Sequence, residues 1–130
     1  MQEPIGGEVL IKNKPLREFK SRSLALNIGF ISTEQIKVPD LSVQDLVSLG
    51  RYPYTDWTGR LQEEDLSAVD DAIGKTVLSA LRNRNVNEIS DGERQRAMIA
   101  RVLAQDSDIL VMDEPTAFLD IRSRYEIVHL

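Results

Sequence analysis

Apolar residues recur at helical spacing over Ala97, Ile99, Ala100, Val102 and Leu103, directly after a polar run that starts at Ser90. This pattern predicts one broad-faced helix from Ser90. The polar run from Gln105 to Asp108 stops it, and the unbroken apolar run Ile109 to Met112 predicts a core strand. Upstream, Leu66, Val69, Ala72 and Ile73 predict a second helix from Glu63 to Lys75, with acidic residues in its first turn as the helix dipole favours. A third helix is expected after Ser42, which can cap it with Asp45 as the third helical residue. Leu46, Val47 and Leu49 supply its apolar face, and Gly50 ends it. Val9 to Lys12 predicts a short strand, followed by a turn at Asn13-Lys14-Pro15. Leu24 to Ser32 is apolar and partly β-branched, which suits a buried strand. A short helical piece is expected from Val77 to Leu81, an irregular segment from Arg82 to Asn85, and another helix from Asp120 onward.

Composition narrows the class. The 130 residues suit one modest domain or a piece of a larger one, and 42% hydrophobic residues can build a core. The net charge of −5 argues against a nucleic-acid partner, since phosphate neutralisation needs clustered Lys and Arg. With no cysteine, disulfides and thiolate metal sites are excluded. No apolar run is long enough to span a bilayer, and the start MQEPIGGEVL lacks the pattern of a signal peptide. The expectation is a cytoplasmic protein.

Two stretches carry chemistry. In ILVMDEP a buried strand ends in two carboxylates, Asp113 and Glu114. At the carboxyl end of a parallel strand, they would sit where open α/β sheets bind ligands. One carboxylate can hold Mg²⁺ through water and the other can polarise an attacking water, as nucleotide hydrolysis needs. The plainer alternative is a core strand ending in a solvated turn. In ISDGE, Ser90 and Glu93 have the spacing of a capping box. A helix start with Ser90 and Gly92 is also a ready anion site, because free N–H groups and the dipole face outward. Both readings can hold together.

The order ISDGERQR, amphipathic helix, ILVMDEP and then AFLD resembles the ATP-binding-cassette (ABC) ATPases. ISDGERQR resembles their signature motif, usually LSGGQxQR. ILVMDEP resembles their Walker B strand with the catalytic Glu, and AFLD their D-loop. The resemblance implies an α/β fold: partial P-loop NTPase-like core strands with an inserted, mainly α-helical subdomain. It divides the chain into partial core strands at 1–40, a helical subdomain with the signature motif at 41–105, and the Walker B strand, D-loop and start of a helix at 106–130. It implies ATP and Mg²⁺ as cofactors. Ser90 and Gly92 would contact the γ-phosphate of an ATP held mainly by a second ATPase subunit, with Asp91 and Glu93 beside them. Asp113 would sit by Mg²⁺, Glu114 would be the general base, and Asp120 would cross the dimer interface. Asp91 stands where the family usually has Gly, and Glu93 where it has Gln. Each charge would weaken phosphate binding by about 1 kcal/mol if uncompensated. Arg94 and Arg96 would offset it, as would a Glu93 turned inward to its own cap.

LNIGFISTEQ resembles the strand leading to the Q-loop. An ungapped count places Thr33 where the Q-loop Gln belongs, so Gln35 and Glu34 are the candidates for that contact with Mg²⁺. LSVQDLVSLGRYPYTDWTGRLQEED resembles the helical subdomain of importers for iron–siderophore complexes, haem and cobalamin. There the segment faces the membrane-spanning permease. Tyr52, Tyr54 and Trp57 would be aromatics of that partner surface; alternatively, they pack the domain's own core. The implied location is peripheral, on the inner face of the cell membrane.

The phosphate-cradling loop G-x-x-x-x-G-K-[ST] is absent. Gly74-Lys75-Thr76 lies within a helical stretch and has Val69 where the first Gly belongs, so it reads as an accidental match. His129 falls too soon after Asp120 to be the family's switch His. The simplest account is a fragment truncated at both ends, inactive alone, from an ATPase subunit of a metal-chelate importer. Two alternatives are a non-catalytic helical module that docks a membrane partner, and an ABC ATPase of the DNA-repair type. The second lacks support from sustained heptads or basic charge.

Overall fold

The computed structural model describes residues 6–32 and 38–112. A two-residue hairpin opens it: strand β1 (Leu10–Ile11) pairs antiparallel with β2 (Lys14–Pro15). Lys12 and Asn13 between them have φ of 49° and 63°. That left-handed pair matches the twist of a tight hairpin. The turn therefore sits at Lys12–Asn13, one residue before its expected place, and the strand expected from Val9 to Lys12 is trimmed to two residues.

Helix α1 (Ser21–Asn27) follows and runs directly into strand β3 (Ile28–Ile31). This corrects the expectation of one strand from Leu24 to Ser32. Leu24, Ala25 and Leu26 are good helix formers, and an apolar run alone cannot separate helix from strand. Tertiary pairing draws the line, because only Ile28 to Ile31 find partners on strand β4 (Ile109–Met112). The two run parallel, from Ile28 opposite Ile109 to Ile31 opposite Met112. A parallel pair needs a long crossover; here, among the described residues, it contains three α-helices.

Those helices are α2 (Val43–Ser48), α3 (Glu63–Lys75) and α4 (Asp91–Gln105). Ser42 and Asp45 form the expected capping box on α2, with Ser42 Oγ accepting from the Asp45 amide at 3.0 Å. Helix α3 has the expected bounds. Gly50 does not end the chain's helical course; tight 3-10 turns continue through Leu49–Tyr54. Between Val77 and Leu81 only Ser79–Leu81 is helical, and Val77 has a φ of 57°.

The core joins α2, α3 and α4. Val43, Leu46 and Val47 meet Val69, Ala72 and Ile73, and all face Ala97, Ile99 and Ala100. Leu78 and Val86 from the connections are fully buried with them. Burying a Leu or Ile side chain contributes roughly 1.5–3 kcal/mol. Exposed ion pairs such as Lys12–Asp108 contribute about 0–1 kcal/mol. Apolar packing of the helices therefore dominates. Three residues assigned to apolar faces, Leu49, Leu66 and Leu103, remain substantially exposed. So does β4, whose four residues are each 36–41% exposed. It pairs only with β3 among the described residues, which corrects the expectation of a buried strand.

Close packing against α4 fixes two positions. A Cβ on Gly29 of β3 would stand 2.2 Å from Val102 Cγ1 of α4, and one on Gly50 would stand 2.0 Å from the Arg101 carbonyl oxygen. Around Gly74, near the end of α3, there is open space. Gly50→Ala is expected to destabilise by about 1–3 kcal/mol or more, because a rigid backbone must move. Gly74→Ala is expected to stabilise by up to about 1 kcal/mol through helix propensity. Urea denaturation of the two variants checks this opposite pair of signs.

Candidate functional site

Helix α4 begins with a complete capping box. Ser90 Oγ accepts from the Glu93 amide at 3.3 Å, while Glu93 Oε2 accepts from the Ser90 amide at 2.8 Å and from Ser90 Oγ at 2.7 Å. The Glu93 carboxylate is thus folded back onto its own helix start. Hydrogen bonds from the Ser90 hydroxyl, then from its amide, hold the Glu93 carboxyl below its ordinary value. Burial opposes this, and Arg96 and Arg84 add to it. Asp91 Oδ1 accepts from Arg94 at 2.7 Å. The same guanidinium donates to the Val86 and Ile89 carbonyls at 3.0 and 3.2 Å. Arg94 thereby ties the segment before α4 to the helix itself.

Both acidic residues of the motif are bonded locally, Glu93 to the Ser90 hydroxyl and amide and Asp91 to the Arg94 guanidinium. The amides of Asp91 and Gly92 make no bond among the described residues. The donors a helix start offers to a phosphate are therefore present despite two added carboxylates. Asp113, Glu114 and Asp120 lie outside the described residues, as do Thr33, Glu34, Gln35 and His129. No group of three or more His, Cys, Asp or Glu that could hold a metal occurs among the described residues. In Gly74-Lys75-Thr76, the Thr76 side chain is buried and its hydroxyl donates to the Ala72 carbonyl at 2.9 Å. That places it in the last turn of α3, with no phosphate loop around it.

A second feature lies at the other end of α4. Arg22, Ala25, Tyr52, Pro53, Thr55, Asp56 and Trp57 line an open, mainly apolar cleft of about 460 Å³. Trp57 is 95% and Tyr52 67% exposed, so these two aromatics face outward and do not fill the core. Tyr54 is less exposed: its ring lies 3.6 Å from the Arg51 guanidinium carbon, and its hydroxyl donates to the Gln105 carbonyl at 2.9 Å. Arg22 donates to the Pro53 and Thr55 carbonyls, both at 2.8 Å, which holds α1 against the cleft wall.

Sequence reasoning missed Arg51 and Asp65. Arg51 Nε donates to Asp65 Oδ1 at 2.9 Å, and both side chains are buried. The Asp65 carboxyl is held below its ordinary value, first by the Gln62 amide and then by Arg51, against burial. Asp65 carries the signal of a helix-start acid; nothing in the sequence pairs it with Arg51.

A family model described as ABC transporter matches residues 1–117. The petrobactin import ATP-binding protein FpuC of Bacillus anthracis is 38% identical over 124 residues, covering 95% of this chain and 46% of that protein. The ferric enterobactin transport ATP-binding protein FepC of Escherichia coli is 35% identical over 130 residues, 100% of this chain and 48% of that protein. A solved metal-chelate type ABC transporter in an inward-facing conformation superposes with a TM-score of 0.75 at 27% identity, covering 79% of this chain and 42% of that one. The chain belongs to the ABC transporter family. It spans about half the length of the curated relatives it matches. Among the described residues no helix is long and apolar enough to cross a membrane.

Two outcomes follow from the cap. Ser90→Ala is expected to destabilise the fold by about 0.5–2 kcal/mol in urea denaturation. The Glu93 carboxyl titrates below its ordinary 4.5 in the folded chain. Its contribution is therefore complete above that value and is lost as pH falls through the lowered one. Glu93→Gln should flatten this acid limb, measured as urea midpoints from about pH 6 down to about pH 3.

Proposed function

We propose that this chain is part of an ATP-binding and ATP-hydrolysing subunit that powers import of an iron–siderophore, haem or cobalamin-type substrate through a membrane permease. One observation carries the reading. A self-compensated Ser90–Glu93 helix start, helix α4 and strand β4 leading to Asp113-Glu114 follow in order, in a chain similar along its whole length to siderophore-import ATP-binding proteins. In this reading 41–105 is the helical subdomain, with 1–40 and 106–130 contributing core strands.

The Asp91 and Gly92 amides donate to the γ-phosphate of an ATP held mainly by a second copy of the subunit; Ser90 lies beside them, its single hydroxyl proton held by Glu93. Glu93 stays folded on its cap, and Arg94 keeps the Asp91 charge paired, so both carboxylates are turned from the anion. Mg²⁺ supplies charge neutralisation at the phosphates. Asp113 is the residue to hold it through water, with Gln35 or Glu34 as a further ligand. Glu114 accepts the proton of the attacking water, and Asp120 reaches across to the second subunit. The cleft lined by Tyr52 and Trp57, with Tyr54 beside it, faces the permease, and the subunit sits peripherally at the cytoplasmic face of the membrane. Outward aromatics beside an apolar cleft support that assignment, since such residues are enriched at interfaces.

The chain lacks a G-x-x-x-x-G-K-[ST] loop. Alone it is expected to show no saturable binding of a fluorescent ATP analogue with Mg²⁺ and no hydrolysis above background. In the full-length subunit assembled with its permease, Glu114→Gln is expected to lower turnover by about 100-fold or more. Turnover that survives this substitution overturns the assignment of the base; tight binding by the chain alone overturns the account of the missing loop.

A further inference from the structure

We propose that Arg51 is a positioning residue that locks the outward-facing cleft onto the last turn of α4, so that the cleft and Ser90 move as two ends of one rod. The name of each end, permease-facing and phosphate-facing, rests on the function proposed above; the joint itself rests on geometry. The last carbonyls of a helix have no partner within it. Here the cleft-bearing segment Leu49–Tyr54 supplies them. Arg51 Nη1 donates to the Ala104 carbonyl at 2.8 Å, and the Tyr54 hydroxyl donates to the Gln105 carbonyl at 2.9 Å. The Arg51 cation also suits the negative end of the α4 dipole.

Arg51 is held from every other side. Asp65 of α3 accepts from it at 2.9 Å, and its guanidinium stacks on the Tyr54 ring. Gly50 presses backbone to backbone against Arg101 and Gln105. Gln105 Nε2 in turn donates to the Ala25 and Ile28 carbonyls, which clamps the α1–β3 junction to the same turn. No rotation of the cleft relative to α4 is possible without breaking buried, charge-assisted bonds. Helix α4 has 15 residues, about 22 Å of rise, so a displacement at one end reaches Ser90 undamped. A buried ion pair adds little net stability compared with apolar packing, and fixing one arrangement is its better-attested use.

The chain has no cysteine, so paired nitroxide labels can be placed at Tyr52→Cys and Glu88→Cys alone. Pulsed electron–electron resonance then reads the distribution of distances between the cleft and the approach to Ser90. Arg51→Met with Asp65→Asn removes the pair without leaving a lone buried carboxylate, and Tyr54→Phe removes one bond while keeping the ring. Val69→Ala weakens the fully buried core one helical turn from Asp65 while leaving every bond of the joint in place. The distribution is expected to widen roughly twofold in the Arg51/Asp65 variant, as local constraints are lost, and less in Tyr54→Phe. It should stay narrow in Val69→Ala. Unchanged widths in the first two variants, or equal widening in Val69→Ala, overturn the proposal. If the Arg51/Asp65 variant does not fold, Tyr54→Phe decides by the same criterion. No nucleotide or permease enters the measurement, so failure of the import reading leaves its result standing, and failure of the joint leaves that reading intact.

Discussion

Helix α4 has to be buried along most of its length while its first turn stays open. Ala97, Ile99, Ala100, Val102 and Ala104 pack against α2, α3 and β3, and alanines among them let the neighbours come close. Gly29 and Gly50 meet α4 at distances that admit no Cβ. The first turn, by contrast, is polar and satisfies itself through Ser90 and Glu93. Apolar burial thus orients the helix, and the cap ends that burial at the residue where an anion site can form.

Charge is handled differently at the two ends. At the N-terminus Asp91 and Glu93 complement the positive end of the dipole, and each is also bonded locally, Asp91 to the Arg94 cation and Glu93 to the Ser90 hydroxyl. At the C-terminus a buried guanidinium meets the Ala104 carbonyl and the negative end of the dipole. The same residue is anchored to α3 and stacked on Tyr54. The cleft wall is therefore attached to α4 by directional bonds, whereas the helix sides are attached by non-directional packing.

Periodicity made the helices legible. The bounds of α3 and both Ser-led capping boxes follow from residues three or four apart, because caps and amphipathic faces are local features. Boundaries that depend on a remote partner were not legible. Leu24 to Asn27 looks like strand until β4 is seen to pair only with Ile28 to Ile31. Leu49, Leu66 and Leu103 fit an apolar face by spacing, yet they stand at its margin, where the described residues cover them only in part. At the candidate site, Ser90 and Glu93 could be recognised three residues apart. Arg51 and Asp65, fourteen residues apart on different elements, could not.

The sequence alone determined helices α2, α3 and α4, the self-capping start of α4, the absence of thiol chemistry and the order of motifs that marks the family. All of these depend on residue type at short spacing. Only the tertiary structure decided the outward exposure of Tyr52 and Trp57, the parallel registry of β3 with β4, and the burial of Arg51 between Asp65 and the Ala104 carbonyl. Each of those depends on which remote surface arrives at a residue. Packing of whole helices, and no local rule, chooses that surface.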